Sequence, residues 1–147
     1  MDVAIDLASY GLVGVERGFL LEVVPEYASY LFANEDEFCA LADLPLEEGL
    51  DFLADAGPAF VVKLAERGAV YAQGNLRVES PVRAQSPLDS TGAGDAFAAG
   101  FLVGVAKGFP PERCLRLGNR IAEEVIRVPG LDVDSSRLRA ALTSVST

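Results

Sequence analysis

Asp89-Ser90-Thr91-Gly92-Ala93-Gly94-Asp95-Ala96-Phe97-Ala98-Ala99-Gly100-Phe101-Leu102-Val103-Gly104-Val105-Ala106-Lys107 is the stretch on which the reading of this chain turns. Its first six residues are a turn of small side chains. No charge falls between Asp95 and Lys107, and a helix that is apolar all round is a buried one. The stretch therefore predicts a tight glycine loop feeding the N-terminus of a core helix.

Such a junction can hold an anion. The first N–H groups of a helix lack internal partners and the macrodipole makes that end positive. Gly92 and Gly94 have no Cβ, so a phosphate can come close to the backbone. Asp95 sits in the first turn beside it, placed to accept the proton of an attacking hydroxyl while the N–H groups hold the developing charge. The plainer reading is an N-cap, Thr91 or Asp95, on a helix without chemistry. Two other glycine motifs do not fit. A P-loop needs a Lys after its last Gly, and a dinucleotide fingerprint needs G-x-G-x-x-G, whereas Phe97 stands where the third Gly belongs.

D-S-T-G-A-G-D-A-F-x-x-G resembles the second signature of the PfkB (ribokinase-like) carbohydrate and nucleoside kinases, with Asp89, Thr91, Gly92, Ala93, Gly94, Asp95, Phe97 and Gly100 in place. The resemblance implies that Asp95 is the catalytic base and that the Gly92, Ala93 and Gly94 backbone is the anion hole. It also implies that Asp89 and Thr91 help hold a monovalent cation such as K+.

Outward from the loop, the composition narrows the alternatives. Net charge is −10, and the 12 basic residues form no cluster. That argues against nucleic-acid or anionic-membrane partners. There is no histidine, which removes Ser/His/Asp triads and His-ligated zinc and leaves a carboxylate as the general base. Cys39 and Cys114 are far apart and lack metal-site spacing, so they read as buried free thiols of a reducing, cytoplasmic setting. No signal peptide or long apolar span is present. Half of the residues are hydrophobic and mean hydropathy is +0.27, rich for a self-contained domain of 147 residues.

In chain order, Val3–Leu7 reads as a buried strand, residues 8–14 as a loop, and Val15–Val24 as a helix stopped by Pro25. Strand Tyr30–Ala33 runs into Asn34 and a helix over Glu35–Ala42. A helix over Pro45–Ala56 ends at Gly57-Pro58, and Ala59–Leu64 is a third strand. Ala69–Gln73 and Leu76–Ser80 form a hairpin across Gly74-Asn75. Pro110-Pro111 opens a helix over Glu112–Arg127, and Ser135–Leu142 is a terminal helix. Strands alternating with helices predict an α/β fold with a mainly parallel sheet and flanking helices. The hairpin precedes the glycine loop. Ligands bind past the carboxyl ends of such strands, where Asn34, Glu66 and the Gly92 loop can converge.

Three further segments carry two readings each. Asn34 and Glu37 have capping-box spacing. F-A-N-E-D-E also resembles the family's N-x-x-E motif, which implies that Asn34 and Glu37 place Mg2+ through water. V-V-K-L-A-E-R-G, residues 61–68, resembles the family's nucleotide-lining strand and turn, although Ala65 replaces the usual glycine. The resemblance implies nucleotide contacts from Lys63, Glu66 and Gly68; otherwise Lys63 is a strand lysine facing solvent. C-L-R-L-G-N-R-I-A-E-E-V-I-R-V-P-G, residues 114–130, is an amphipathic helix that resembles the one closing the nucleotide pocket. The resemblance implies that Ile121, Ala122 and Val125 face the adenine, that Asn119, matching an Asn of many members, binds the nucleotide, and that Gly130 lies near the cation.

The resemblance spans nearly the whole chain but only the C-terminal half of the family's domain. It predicts residues 1–147 as a truncated, ribokinase-like ATP-binding and catalytic half that phosphorylates a hydroxymethyl group of a sugar or nucleoside, using ATP and Mg2+. The alternative is a non-catalytic fragment or one subunit of a split kinase. The first strand should then present an unpaired edge or apolar faces to water, covered by a homodimer or by a complementing N-terminal half.

Overall fold

The computed structural model describes residues 1–82, 90–129 and 132–146. The chain falls into two compact units, Met1–Ala65 with Ala69–Val78 and Glu66–Gly68 with Glu79–Thr147. Five strands, β1 (Ala4–Asp6), β2 (Tyr30–Asn34), β3 (Ala59–Lys63), β4 (Ala69–Gln73) and β5 (Leu76–Ser80), form one sheet in the order β1-β2-β3-β4-β5. β1, β2 and β3 are mutually parallel and β4 runs antiparallel to β3. The α/β fold expected from the sequence is the fold observed, hairpin included.

In the first unit, helix α1 (Tyr10–Tyr27) crosses over from β1 to β2, while α2 (Glu35–Ala42) and α3 (Leu46–Phe52) lie between β2 and β3. Parallel strands need such crossovers. The core gathers Val13 and Val24 of α1, Leu31 and Ala33 of β2, Phe38 and Leu41 of α2, and Phe60 and Val62 of β3. Phe38 meets Phe60 edge-on at 5.5 Å.

Several helix boundaries differ from the sequence expectation, including α6, which runs four residues past Leu142 to Ser146. α1 begins five residues early because Ser9 caps it, its Oγ accepting from the Leu12 N–H at 3.4 Å. Pro25 does not stop the helix. It sits in the last turn, where the backbone bond it forgoes is one of the final ones, and the Ala28 N–H still closes on Val24 O at 3.0 Å. α3 ends at Phe52, and residues 53–56 continue as turns closed by Ala54 N–H to Asp51 O and Ala56 N–H to Leu53 O.

The second unit is built on α4 (Ala93–Ala106), α5 (Pro111–Ile126) and α6 (Ser135–Ser146). α4 and α5 meet through glycines. A Cβ on Gly100 would lie 3.0 Å from Gly118 Cα, and one on Gly118 would lie 2.8 Å from Phe97 O. The expectation that α4 is buried all round does not hold. Phe97, Gly100, Phe101 and Gly104 are buried, while Asp95, Ala99, Val103 and Ala106 form an exposed stripe. The sequence is apolar on both faces, but only the face carrying Gly100 and Gly104 is flat enough to receive α5.

Candidate functional site

In the first unit, the carboxyl ends of the three parallel strands gather polar side chains. Asn34 closes β2 and is in register with Lys63, which closes β3. Asp6 closes β1, and Lys63 Nζ lies 3.3 Å from Asp6 Oδ2. Lys63 is therefore held across the strand ends instead of pointing freely to solvent. Asp6 also accepts from the Ala8 N–H at 3.0 Å. Asp6 was missed in the sequence. The one available signal was a carboxylate ending a short apolar run.

Asn34 and Glu37 form the capping box that their spacing predicts. Asn34 Oδ1 accepts from the Glu37 N–H at 2.8 Å, and Glu37 Oε2 accepts from the Asn34 N–H at 2.9 Å. Glu37 is only 5% exposed, so one carboxylate oxygen is committed to the cap and the other remains for a ligand. Among the described residues no three acidic or thiol side chains group closely enough to cage a metal ion. The donor set suits Mg2+, which keeps its waters and takes one or two carboxylates plus phosphate oxygens.

The cap separates two roles for Asn34. Asn34→Ala should cost about 1 kcal/mol in urea denaturation, the ordinary worth of an N-cap, whereas Asn34→Ser should cost much less because Ser caps as well as Asn. If the serine variant keeps its stability but loses response to Mg-ADP, the side chain has a ligand role beyond the cap.

In the second unit, Gly92 is the N-cap of α4 with φ 74° and ψ 0°, left-handed backbone that suits glycine. No side chain caps this end. The Ala93 N–H bonds Ser90 O at 3.2 Å and the Ala96 N–H bonds Gly92 O at 2.9 Å. Within the helix, the Gly94 and Asp95 N–H groups have no carbonyl four residues back. Asp95 is exposed in this first turn, and Thr91 is exposed just before it. Asp89 and Gly130, both expected near a cation, lie outside the described residues.

Ala65 adopts φ +52°, the left-handed region where the family's glycine costs nothing and a Cβ costs roughly 1–2 kcal/mol. Glu66 is exposed and Gly68 is buried with φ +98°. Gly68 packs on the Ser80 and Pro81 backbone. Asn119 Nδ2 donates to Ser80 O at 2.9 Å and to Ser80 Oγ at 3.2 Å, so Gly68, Ser80 and Asn119 form one locked corner. Asn119 is 7% exposed and lines a cavity of about 390 Å³ with Ser80, Pro81, Arg116, Arg120 and Glu123. Arg120 pairs with Glu123 at 3.3 Å. The donors of Asn119 are used on Ser80, which leaves its carbonyl oxygen as the group it can offer a ligand. Ala122 is half-buried and does not line this cavity, while Ile121 faces Gly100 on α4. Arg116, Arg120 and Glu123 recur at helical spacing on one side of α5, a signal the sequence reading passed over.

Both cysteines are free. Cys114 is buried with its thiol donating to Phe109 O at 3.3 Å, and burial raises its pKa. Cys39 is only half-buried, short of the burial expected for it, and its pKa is raised by burial first and then by Glu35 and Asp36. Neither is a thiolate poised for catalysis. No helix among the described residues is long and apolar enough to cross a membrane.

Residues 17–137 match the model of the pfkB family of carbohydrate kinases. A nucleoside kinase of Methanocaldococcus jannaschii is 32% identical over 115 residues, 78% of this chain and 37% of that one. Among solved structures, the adenosine kinase of Sinorhizobium meliloti superposes with a TM-score of 0.89 at 33% identity, covering 97% of this chain and 45% of that one. A fructokinase of Vibrio cholerae O395, in a form with fructose, ADP and calcium ion bound, superposes at 0.81 with 25% identity, covering 96% and 50%. The chain thus spans about two fifths of the length of the curated relatives it matches.

Proposed function

The chain belongs to the pfkB family of carbohydrate kinases, and on that premise we propose that it is the nucleotide-binding and catalytic half of an ATP-dependent sugar or nucleoside kinase. The acceptor is a hydroxymethyl group. Its oxygen forms a bond to the γ-phosphorus of ATP as the bond to the bridging oxygen breaks and ADP leaves. Asp95 takes the hydroxyl proton. The observation that carries this reading is the N-terminus of α4. Gly92 turns the chain with φ 74°, no side chain caps the helix, and Asp95 stands exposed in its first turn.

The remaining roles follow from chemistry. The α4 N–H groups meet the charge that spreads over the transferring phosphoryl oxygens. Glu37 and Asn34 would hold Mg2+, and that ion would neutralise phosphate charge. Thr91, with Asp89, supports a monovalent cation such as K+. Lys63, Glu66 and Gly68 line the nucleotide, and Asn119 offers its carbonyl oxygen to the base. The surroundings are those of the cytoplasm. Because the chain covers only 37% of the M. jannaschii nucleoside kinase, turnover belongs to the complete fold, and nucleotide binding is the property to seek in this half.

A thermal-shift titration with Mg-ADP and Mg-ATP tests the reading. A ligand that binds only the folded state adds about 2.7 kcal/mol at a hundred times its Kd. The expected result is a saturable shift in the parent chain that survives Asp95→Asn and is lost in Gly92→Val, each read against its own unliganded baseline. A cooperative melt indifferent to nucleotide would overturn the proposal.

A further inference from the structure

Of the three residues that close the parallel strands, Asp6, Asn34 and Lys63, the last alone is cationic. A lysine is a loose tool for holding a ligand. Its ammonium rides on a flexible four-carbon stem, and a side chain ordered only on contact loses its rotamer freedom at that moment. Ordering it beforehand removes that cost from binding.

The ordering group stands two strands away. β2 lies between β1 and β3, so about 10 Å of sheet separates their backbones. Asp6 is in register with Phe32, and Lys63 with Asn34. Phe32 and Asn34 are two residues apart, so all four side chains leave the same face. Leu31, Ala33, Phe60 and Val62 alternate onto the other face, where the helical core lies. Lys63 Nζ spans the end of β2 to meet Asp6 Oδ2 at 3.3 Å.

Asp6 is the rigid member of the pair. Its Oδ1 accepts from the Ala8 N–H at 3.0 Å, and Ala8 turns the chain at φ +56°. The Leu7 N–H is fixed to Phe32 O at 3.0 Å. One carboxylate oxygen is thus tied to the turn that ends β1, and the other aims at Lys63. The pair stays within reach of a ligand, with the Lys63 side chain 20% and that of Asp6 31% exposed. An ammonium carries three donors, and Asp6 takes one of them.

We infer that Asp6 is a positioning residue: it fixes the Lys63 ammonium at the carboxyl end of β3 so that the remaining donors meet a phosphate oxygen of the nucleotide. This rests on the reading of Lys63 as a nucleotide contact and adds the residue that makes the contact effective. Charge alone predicts the opposite sign. A carboxylate near a polyphosphate repels it, so a mere counterion would tighten binding on removal. A positioning residue weakens it.

Calorimetric titration of Asp6→Asn, Lys63→Met and the double variant decides between them. The ligands are Mg-ADP and adenosine, which shares base and ribose but offers no phosphate. Asparagine keeps an oxygen for the Ala8 N–H, so the turn survives, and urea midpoints check that each variant folds. The expected result is Mg-ADP binding about tenfold weaker in each single variant, the scale of one charged hydrogen bond. The double variant should bind no more weakly than Lys63→Met, because Asp6 acts through that lysine. Adenosine binding should not change. An Asp6→Asn chain that binds Mg-ADP as tightly as the parent, or more tightly, overturns the inference. So does a loss that adds to that of Lys63→Met or falls equally on adenosine. In each of these cases the parent binds nucleotide and the proposed function stands. A parent chain that does not bind Mg-ADP sinks that reading and this inference together.

Discussion

Gly68→Ala is expected to destroy the cooperative folding of the unit that holds Asn119, although it adds a single methyl group. Two separate costs fall on that methyl. Gly68 has φ +98°, and a Cβ in left-handed backbone costs roughly 1–2 kcal/mol. The methyl would also overlap the Ser80 carbonyl oxygen and come within 2.8 Å of Pro81 Cα. These are backbone atoms, so no rotamer change can make room. Moving Ser80 breaks the bonds from Asn119 Nδ2 to Ser80 O and Oγ and leaves a buried amide unsatisfied, a further cost of about 1–3 kcal/mol. The conformational and hydrogen-bond costs together come to about 2–5 kcal/mol, and the backbone overlap adds to a sum that already reaches the lower end of a domain's stability, about 5–15 kcal/mol.

Gly74→Ala is the control. Gly74 is also left-handed, at φ +53°, but a Cβ there meets nothing within 4 Å. It should lose only the conformational share. Urea denaturation of the two variants separates strain from overlap. Equal midpoints would mean that the Ser80 corner gives way easily and that the argument from backbone overlap is wrong.

The contrast between these glycines also shows what a sequence conceals. Local chemistry was legible. The Gly92 turn, the capping box of Asn34 and Glu37, and the hairpin across Gly74-Asn75 each depend on residues within a few positions, and each formed where expected. Spacing failed where a boundary depended on a cap or on the position of a breaker within the last turn. Ser9 started α1 inside residues 8–14, which read as a loop. Pro25 looked like a stop but stands where one lost bond matters little.

Long-range pairs were not legible at all. Lys63 finds Asp6 from 57 positions away, and Asn119 finds Ser80 from 39. Neither partner carries a local mark of the pairing. The exposed stripe on α4 was hidden for another reason. Composition records that a helix is apolar all round, whereas the described residues cover only the face with Gly100 and Gly104.

That covered face supports the other large effect. Gly118→Val should separate α4 from α5. A Cβ on Gly118 would stand 2.8 Å from Phe97 O and 2.9 Å from two atoms of the Phe97 ring, and valine adds two methyls beyond it. Gly100→Val attacks the same seam from the other helix, where the obstacles are Gly118 Cα, Leu117 O and Ile121 Cγ1, all at 3.0 Å. Overpacking usually costs about 1–3 kcal/mol because side chains yield. Here carbonyl and Cα atoms of a facing helix must yield, which places both variants at or above the top of that range. Amide exchange should quicken along α4 and α5, and the urea midpoint should fall. Because α4 carries Gly92 and Asp95 at its N-terminus, displacing it moves the proposed anion site as a rigid piece. Any Mg-ADP thermal shift should therefore vanish in both variants, although both positions lie in the α4–α5 seam and not in the N-terminal turn of α4. If exchange quickens and the shift persists, the N-terminal turn of α4 holds its geometry without the α5 seam. The site would then be set by the turn itself and not by the packing beneath it.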